Sequence, residues 1–196
     1  MKKNTHSSLT LITGGARSGK STLALEIARD SAEEAKQTVS FIATMEPNDS
    51  EMIYRVNRHK EGRPETWQTI EEQIEIADVI SECTSDVIII DCISIWISNI
   101  LFELLGDFNK ITEEFDEKQL LAIDNSINTY LTKLSQSLIN SNAKVLCVTN
   151  EVGFGVIPPT PVGRIFRDYL GQANQHLARI ATNTLLVVAG KVIELK

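Results

Sequence analysis

Residues 9–21 read LTLITGGARSGKS, and this stretch decides the fold of the chain. Its first five residues, 9–13, form a short apolar and β-branched run that predicts a strand. The STLALEIARDSAEEAK pattern of residues 21–36 predicts a helix directly afterwards. The residues that join strand to helix fit GxxxxGK[ST], the pattern of a phosphate-binding loop: Gly14, Gly15, Ala16, Arg17, Ser18, Gly19, Lys20 and Ser21.

The residue types in this loop suit the binding of a triphosphate. Glycines let the backbone approach phosphate oxygens closely, and the amides at the helix N-terminus add roughly half a positive charge. Lys20 is placed to bind the β- and γ-phosphates, while the Ser21 hydroxyl is placed to bind Mg²⁺. A strand before the pattern and a helix after it are the context that a chance glycine-rich turn lacks. The loop therefore predicts a nucleoside triphosphate site.

Short β-branched runs alternate with longer helical patterns along the rest of the chain. The predicted strands are 9–13, 39–44, 87–91, 145–149, 185–189 and 192–195. The predicted helices are 21–36, 70–83, 93–105, 119–140 and 162–182. The VIII run at 87–90 is typical of a strand covered on both faces in a parallel sheet. We expect an α/β fold, with a mainly parallel sheet flanked by helices and right-handed crossovers.

Three further features of the chain complete this prediction. The break at 189–191 between two apolar runs indicates a hairpin, which makes the last strand an antiparallel edge strand. One domain is expected over residues 9–196, preceded by a flexible N-terminal tail at 1–8. Residues 106–118 are acidic and poor in periodicity, and they predict an exposed connection.

The composition excludes several classes of protein. The chain has 196 residues and a formal net charge of -7, and a surface of that sign repels a polyphosphate backbone, so no nucleic-acid partner is expected. No apolar run approaches the roughly 20 residues of a membrane-spanning helix, and no secretory signal is visible. Cys83, Cys92 and Cys147 are odd in number and widely spaced, which favours buried thiols over disulfides or zinc ligands. We expect a cytoplasmic protein.

Asp91 ends the aliphatic run at 87–90 and is a candidate metal ligand beside Ser21. It should lie at the carboxyl end of a buried strand, where phosphate-loop enzymes place a second acidic residue that holds Mg²⁺ or its water. Its position before the helical pattern ISIWISNILF also suits a helix N-cap. The residues alone leave both roles open.

A dense polar segment follows the second predicted strand. Glu51, Arg55 and His59 are four residues apart, so they would share one face of a helix. That face is either a solvated strip of ion pairs or part of a reaction site. Histidine is scarce here: the others are His6 in the predicted tail and His176 in a helical pattern. The scarcity of histidine singles out His59 within this segment, and the residues alone leave its role open.

The order of motifs along the chain resembles that of one family. It runs GGARSGKS, FIAT, a segment containing EM, RV, HK and GRP, then DCISIWISNIL, VTNEVGFGVIPP and FRD followed by NQ. This order is similar to that of the bifunctional adenosylcobinamide kinase / adenosylcobinamide-phosphate guanylyltransferase family of cobalamin biosynthesis. The resemblance extends from Leu11 to the last residue, and it implies a RecA-like phosphate-loop fold assembled as a homotrimer.

The resemblance implies two reactions. ATP or GTP phosphorylates a hydroxyl of adenosylcobinamide, and GTP then transfers GMP to that phosphate through a guanylylated histidine, with release of pyrophosphate. His59 is implied as the GMP carrier, with Lys20 as the other catalytic residue and with Mg²⁺ on Ser21 and Asp91. Nucleotide contacts are implied for the phosphate loop 14–21 and for Ala43, Thr44, Met45, Lys60, Glu61, Gly62, Arg63, Glu71 and Asp91.

Two other functions stay open on the residues alone. One is a small-molecule kinase without nucleotidyl transfer, in which His59 is a surface residue. The other is a GTP-dependent switch, but switch proteins read guanine with an NKxD segment where this chain has TNEV at 149–152. The segment after that strand also supplies candidates for substrate or subunit contacts: Asn150, Glu151, Arg164, Arg167 and Asp168.

Overall fold

The computed structural model describes residues 8–46, 62–111 and 113–196. The strands of this part are β1 Ser8–Thr13, β2 Val39–Ala43, β3 Gln68–Glu71, β4 Val87–Asp91, β5 Lys144–Val148, β6 Asn183–Val188 and β7 Lys191–Leu195. Its helices are α1 Lys20–Ala35, α2 Ile76–Glu82, α3 Ile93–Leu105, α4 Glu117–Asn140 and α5 Pro161–Ile180, with a 3₁₀ turn at Phe108–Lys110.

The described strands form one sheet in the order β3-β2-β4-β5-β1-β6-β7. Neighbouring strands are parallel except for β6 and β7. Strand β5 is therefore inserted between β1, which precedes the phosphate loop, and β4, which ends in Asp91. The predicted α/β fold, with a mainly parallel sheet and an antiparallel edge strand, is confirmed.

Alternate residues of the central strands enter two apolar layers. Ile88 and Ile90 face the layer formed with helices α2 to α5, whereas Val87 and Ile89 face the layer formed with α1. All four side chains are fully buried. Because burial of such a side chain stabilises the fold by about 1.5–3 kcal/mol, a strand covered on both faces needs an unbroken aliphatic run.

A two-residue turn, Ala189 and Gly190, joins β6 to the edge strand β7. Their φ angles are 50° and 75°, values typical of the type I′ turns that connect antiparallel strands. Val188 pairs with Lys191 across this turn. The predicted hairpin is confirmed, and it contacts the phosphate loop because the Gly190 amide donates to the Ser18 carbonyl oxygen at 2.9 Å.

The helix predicted over residues 70–83 is wrong in its first half. Strand β3 stands where that helix was expected to begin, and α2 follows only after a turn. Ile70 pairs with Ile42 of β2, so pairing with a distant strand outweighs the local helical pattern. In the turn, the Glu72 carboxylate accepts a hydrogen bond from the Ile74 amide at 2.7 Å and holds the backbone out of a helical path.

The connection predicted at 106–118 is largely exposed, but two contacts organise it. Phe108 packs edge-on against Phe102, with 5.5 Å between the ring centroids. Asp116 and Gln119 form a capping box: the Asp116 carboxylate accepts from the Gln119 amide at 2.7 Å, and the Gln119 side chain accepts from the Asp116 amide at 2.9 Å. Helix α4 therefore begins at Glu117 rather than at residue 119.

The other predicted boundaries agree with the structure to within two residues. Strand β1 begins at Ser8, and residues 1–7 of the predicted tail lie outside the described residues. Among the helices that the structure describes, none has the length and apolar character needed to cross a membrane.

Candidate active site

The phosphate loop joins the end of β1 at Thr13 to the start of α1 at Lys20, at the carboxyl edge of the sheet. Ligands of open parallel α/β sheets bind at this edge. Gly14 has no room for a side chain, because a Cβ there would lie 2.2 Å from the carbonyl oxygen of Val187 in β6. Gly19 has a φ of 103°, which residues with a side chain rarely adopt. Strand β6 and its hairpin thus pack against the loop at Gly14 and Gly19.

Lys20 is the buried cation of this loop, with 6% of its surface exposed. Its Nζ donates to the Gly15 carbonyl oxygen at 2.6 Å and lies 3.4 Å from Ser18 Oγ. Burial lowers the pKa of Lys20, and the nearby Cys92 and Asp91 side chains oppose that shift. A bound phosphate would compensate the buried charge and favour the protonated amine. The position of Lys20 therefore favours an anionic ligand.

One cavity of about 580 Å³ collects most of the predicted nucleotide contacts. Its walls include, from the predicted set, Ala16, Arg17, Ser18, Gly19, Lys20, Ser21, Ala43, Met45, Arg63, Glu71 and Asp91. They also include Thr22, Cys92, Ile95, Val148 and Asn150. The ends of β2, β3, β4 and β5 thus meet the phosphate loop at one site, and the volume suits a small-molecule ligand.

Arg63 brings a second cation to this cavity, from the segment before β3. Its guanidinium lies 3.4 Å from the centroid of the Phe41 ring, a cation–π contact. Burial lowers the pKa of Arg63, and the carboxylates of Asp91 and Glu71 oppose the shift. Its Nε is buried without a hydrogen-bond partner among the described residues. The side chain is therefore anchored by its stacking on Phe41 while it lines the cavity.

Ser21 and Asp91 offer oxygen atoms to a magnesium ion. Cys92 rather than Asp91 is the N-cap residue of α3, so the capping alternative for Asp91 is wrong. Mg²⁺ prefers oxygen ligands and usually takes only one or two carboxylates when it also binds substrate phosphates. The described residues contain no group of three or more His, Cys, Asp or Glu side chains that could hold a metal by themselves. Ser21 and Asp91 therefore fit a Mg²⁺ that arrives with a nucleotide.

Thr44 belongs to the predicted nucleotide contacts, but its side chain supports the scaffold. It is fully buried, and its Oγ1 donates to the Cys92 carbonyl oxygen and accepts from the Cys92 amide, both at 2.8 Å. Asn99 of α3 donates from Nδ2 to the Thr44 carbonyl oxygen at 2.8 Å. These bonds tie the end of β2 to the start of α3, and the Thr44 hydroxyl is not turned toward a ligand.

Some predicted residues are not brought to the cavity by the structure. Gly62 is exposed, and its carbonyl oxygen accepts a hydrogen bond from the side chain of Arg29 in α1. Three predicted residues lie outside the described residues: His59, Lys60 and Glu61. They directly precede Gly62 and Arg63 in the chain. The candidate nucleophile is therefore three residues before the first described residue of this part of the chain.

The candidates after β5 have different roles. Asn150 lines the cavity. Glu151 contributes its backbone, because its amide donates to the Gly14 carbonyl oxygen at 3.0 Å. Arg164 pairs with Glu114 at 2.5 Å and so ties α5 to the connection before α4. The remaining two candidates, Arg167 and Asp168, pair with each other at 2.8 Å.

Sequence reasoning missed the apolar wall of the cavity. Cys92, Ile95 and Val148 line it. Cys92 directly follows a predicted strand and Val148 lies near the end of another, which is the signal that could have found these two. Burial raises the pKa of Cys92 to about 11, and its Sγ lies 2.9 Å from Ser94 Oγ. A thiol that stays protonated is a poor nucleophile, which favours a packing role for Cys92 in this wall.

Comparison with known proteins identifies the family. The model of one protein family, described as cobinamide kinase / cobinamide phosphate guanyltransferase, matches residues 10–195. The chain belongs to this family. The expected kinase and guanylyltransferase activities of cobalamin biosynthesis are thereby confirmed.

Curated relatives match over nearly their whole length. The bifunctional adenosylcobalamin biosynthesis protein CobU of Escherichia coli (strain K12) is 36% identical over 190 residues, which cover 96% of this chain and 99% of the relative. The protein of the same name from Salmonella typhimurium gives the same values. The bifunctional adenosylcobalamin biosynthesis protein CobP of Pseudomonas aeruginosa is 32% identical over 188 residues, with coverage of 95% and 96%.

Solved structures are similar at lower levels. A KaiC-like protein of Pyrococcus horikoshii covers 92% of this chain at 18% identity, with a TM-score of 0.48, and the alignment spans 71% of that protein. The flagellar accessory protein FlaH of Methanocaldococcus jannaschii covers 97% at 17% identity, with a TM-score of 0.47, and the alignment spans 79% of it. The fold assignment of this family member rests on its own strand order.

Gly14→Ala tests whether the loop depends on its contact with β6. We expect a loss of about 1–3 kcal/mol in the free energy of unfolding, because the added Cβ would collide with the Val187 carbonyl oxygen. GTP binding should weaken in parallel, since the loop must shift. Gly15→Ala is the matched control, because a Cβ there meets no atom within 4 Å. Thermal unfolding and GTP titration measure both effects, and equal melting temperatures for the two variants would contradict the argument.

Proposed function

We propose that one cavity serves both reactions of the family, phosphorylation of cobinamide and transfer of GMP to the cobinamide phosphate. The observation that carries this proposal is that two cations from distant parts of the chain, Lys20 and Arg63, line the same cavity. Lys20 belongs to the phosphate loop, which supports phosphoryl transfer. Arg63 follows His59 by four residues in the chain, which supports guanylyl transfer beside it. A single bound GTP could then be attacked at either its γ- or its α-phosphorus.

In the kinase reaction, a hydroxyl oxygen of cobinamide attacks the γ-phosphorus of GTP or ATP. The bond to the β–γ bridging oxygen breaks, the nucleoside diphosphate leaves, and the hydroxyl proton is released. The loop amides and the Lys20 ammonium hold the β- and γ-phosphates and balance the charge that develops on the leaving oxygen. Ser21 and Asp91 would hold Mg²⁺, which neutralises charge on the phosphate oxygens when it is bound.

In the transferase reaction, an imidazole nitrogen of His59 attacks the α-phosphorus of GTP. A P–N bond forms, the bond to the α–β bridging oxygen breaks, and pyrophosphate leaves. A phosphate oxygen of cobinamide phosphate then attacks the same phosphorus and breaks the P–N bond, which frees His59. Histidine suits this role because an imidazole with a pKa near its usual value of about 6.5 is largely neutral at physiological pH. Lys60 and Arg63 would balance the phosphate charge.

The nucleoside would lie against the strand ends beside the phosphate loop. Ala43 ends β2, Met45 follows it, and Glu71 ends β3. All three line the cavity, and a carboxylate there can accept hydrogen bonds from ribose hydroxyls or base N–H groups. We assign Glu61 to the same region from its place between His59 and Arg63 in the chain. A cytoplasmic location, where both nucleotides are available, stays a prediction.

Lys20→Ala should impair both reactions, because each uses the same triphosphate pose. We expect the turnover of the kinase and the rate of GMP transfer to fall about 100-fold or more, the usual effect of removing one donor to a developing oxyanion. Lys118→Ala, which removes an exposed lysine at the start of α4, is the control and should leave both rates unchanged. Steady-state rates with cobinamide and with cobinamide phosphate measure the two activities. Unchanged rates for Lys20→Ala would exclude a shared site.

His59→Ala should separate the two activities. With GTP labelled at the α-phosphate, the unmodified protein should retain one GMP per active site and release pyrophosphate. The adduct should be acid-labile and base-stable, as a phosphoramidate is. The variant should lose labelling and GMP transfer, because neighbouring Arg58 and Lys60 are protonated at neutral pH. It should keep part of its kinase activity, since γ-phosphoryl transfer uses Lys20 and positioning rather than an imidazole.

His176→Ala is the matched control for this experiment. The His176 ring lies in α5, where its Nε2 is 2.7 Å from Ser135 Oγ of α4, away from the cavity walls. This variant should retain full labelling. Persistence of the label in His59→Ala, or its loss in His176→Ala, would show that the carrier has been assigned to the wrong histidine.

We further propose that the protein works as a homotrimer and that the β6–β7 hairpin lies in the interface. Val188, Val192, Ile193 and Leu195 are about half exposed on this edge of the sheet, and an unpaired apolar edge strand is prone to pair with another chain. Sedimentation should show a trimer, and Ile193→Lys should dissociate it, whereas Leu121→Lys on exposed α4 should not. A fully active monomer at assay concentration would contradict the proposal.

A further inference from the structure

A buried polar network links helix α5 to the turn after β5. The Thr149 hydroxyl donates to Asn174 Oδ1 at 2.7 Å, and Asn174 Nδ2 donates to the Asn150 carbonyl oxygen at 3.0 Å. Thr149 is fully buried. The orientation of the Asn174 amide is fixed chemically, because the Asn150 carbonyl oxygen can only accept and must therefore face the NH₂ group. The oxygen and the nitrogen of the Asn174 amide are thus each hydrogen-bonded to one of two consecutive residues, Thr149 and Asn150.

The same turn is bonded to the phosphate loop on its other side. The Thr149 amide donates to the Ile12 carbonyl oxygen at 2.9 Å, and the Glu151 amide donates to the Gly14 carbonyl oxygen at 3.0 Å. Residues 149–151 are therefore fixed between α5 and the start of the loop. The residue at the centre of this turn is Asn150.

The strand order places Asn150 between the two parts of the site that handle the terminal phosphate. Strand β5 lies between β1, which leads into the loop of Lys20, and β4, which ends in Asp91. Asn150 lines the same cavity as these two residues. Its carboxamide is neutral, so it can donate a hydrogen bond to a phosphoryl oxygen without adding another charge to a site that already holds Lys20 and Arg63.

We propose that the Asn150 carboxamide contacts the γ-phosphoryl group during the kinase reaction, and that Asn174 is a positioning residue that holds Asn150 in place. This inference rests on the proposed function. Asn150 donates a hydrogen bond and gives up no proton: the phosphoryl group passes from the β–γ bridging oxygen to the cobinamide hydroxyl oxygen as described above. A donor aimed at the moving phosphoryl group stabilises the transition state more than bound GTP.

The experiment compares four variants in the full-length protein: Asn150→Ala, Asn174→Ala, Thr149→Val and Tyr169→Phe. Tyr169→Phe is the matched control, because it removes one hydrogen bond between α5 and α4, from the Tyr169 hydroxyl to Asp124 Oδ1 at 2.7 Å, and leaves the cavity walls intact. For each variant we would measure the melting temperature, kcat and KM for cobinamide phosphorylation with GTP, and covalent labelling by α-labelled GTP.

Asn150→Ala should lower kcat of the kinase about 100-fold, with KM for GTP and the rate of labelling within about threefold of the unmodified protein. Asn174→Ala should lower the same kcat about tenfold, because a misplaced group costs rate before it costs binding. Thr149→Val should lower it by a smaller factor, because it removes only one of the two hydrogen bonds that hold the Asn174 amide. Tyr169→Phe should keep kcat while its melting temperature falls about as much as that of Asn174→Ala.

Three results would overturn the inference. One is a kinase kcat for Asn150→Ala within about threefold of the unmodified protein. Another is an equal loss of kinase activity and of covalent labelling in Asn150→Ala, which would mean that the turn merely supports the phosphate loop. The third is that Asn174→Ala behaves as Tyr169→Phe. If Asn174→Ala does not fold, the nearly isosteric Thr149→Val replaces it in the test. An unchanged kinase kcat of Thr149→Val would then count against the inference. Failure of the unmodified protein to phosphorylate cobinamide would instead reject the proposed function.

Discussion

The phosphate loop keeps its shape because Gly14 is packed directly against the Val187 carbonyl oxygen. This contact sets the distance between the loop and strand β6, and the bond from the Gly190 amide to Ser18 then closes the other end of the loop. With the loop held on both sides, Lys20 can be buried at the first turn of α1 despite the cost of removing its charge from water. The cavity, its cations and its anion preference all depend on that one close approach.

Lys20 and Arg63, two of the cations that line the cavity, are stabilised by different means. Lys20 donates to a loop carbonyl oxygen, whereas the Arg63 guanidinium stacks on Phe41. The acidic side chains Asp91 and Glu71 lie on the same cavity and moderate the net charge. A site of this kind can exchange a triphosphate for a diphosphate or for pyrophosphate without large changes in its own structure, because no single pair carries all of the charge balance.

Much of the fold could be predicted because its signals are local. The phosphate loop, the strand at 87–91 and the turn at 189–190 each depend on a few adjacent residues whose preferred conformations agree with the final structure. The strand at 68–71 could not be predicted, because Ile70 is in a strand only through its pairing with Ile42 of β2. The local helical pattern at residues 70–83 gives no sign of that pairing.

Residues of the candidate site could be predicted where a local motif marks their position. They could not be predicted where their role depends on a contact with a residue far away in the chain. Lys20, Ser21 and Asp91 are placed by strand ends that the pattern already marks. In the sequence nothing distinguishes Thr44 from its neighbours among the predicted nucleotide contacts. Its hydroxyl is nevertheless hydrogen-bonded to the backbone of Cys92, which lies 48 positions further along the chain. Asn174 lies within an ordinary helical pattern, and only the packing of α5 on the sheet brings it to Asn150.

The insertion of β5 between β1 and β4 has a consequence for the newly made chain on the ribosome. Strand β1 emerges first, but its two neighbours in the sheet are β5 and β6, which are made last but for the final edge strand. Until then, the apolar residues of β1 have no permanent partners, and the phosphate loop has no β6 to rest against. Contacts between such distant segments form slowly because long loops must close first. We therefore expect the phosphate loop to reach its final shape late in synthesis, after β5 and β6 have been made.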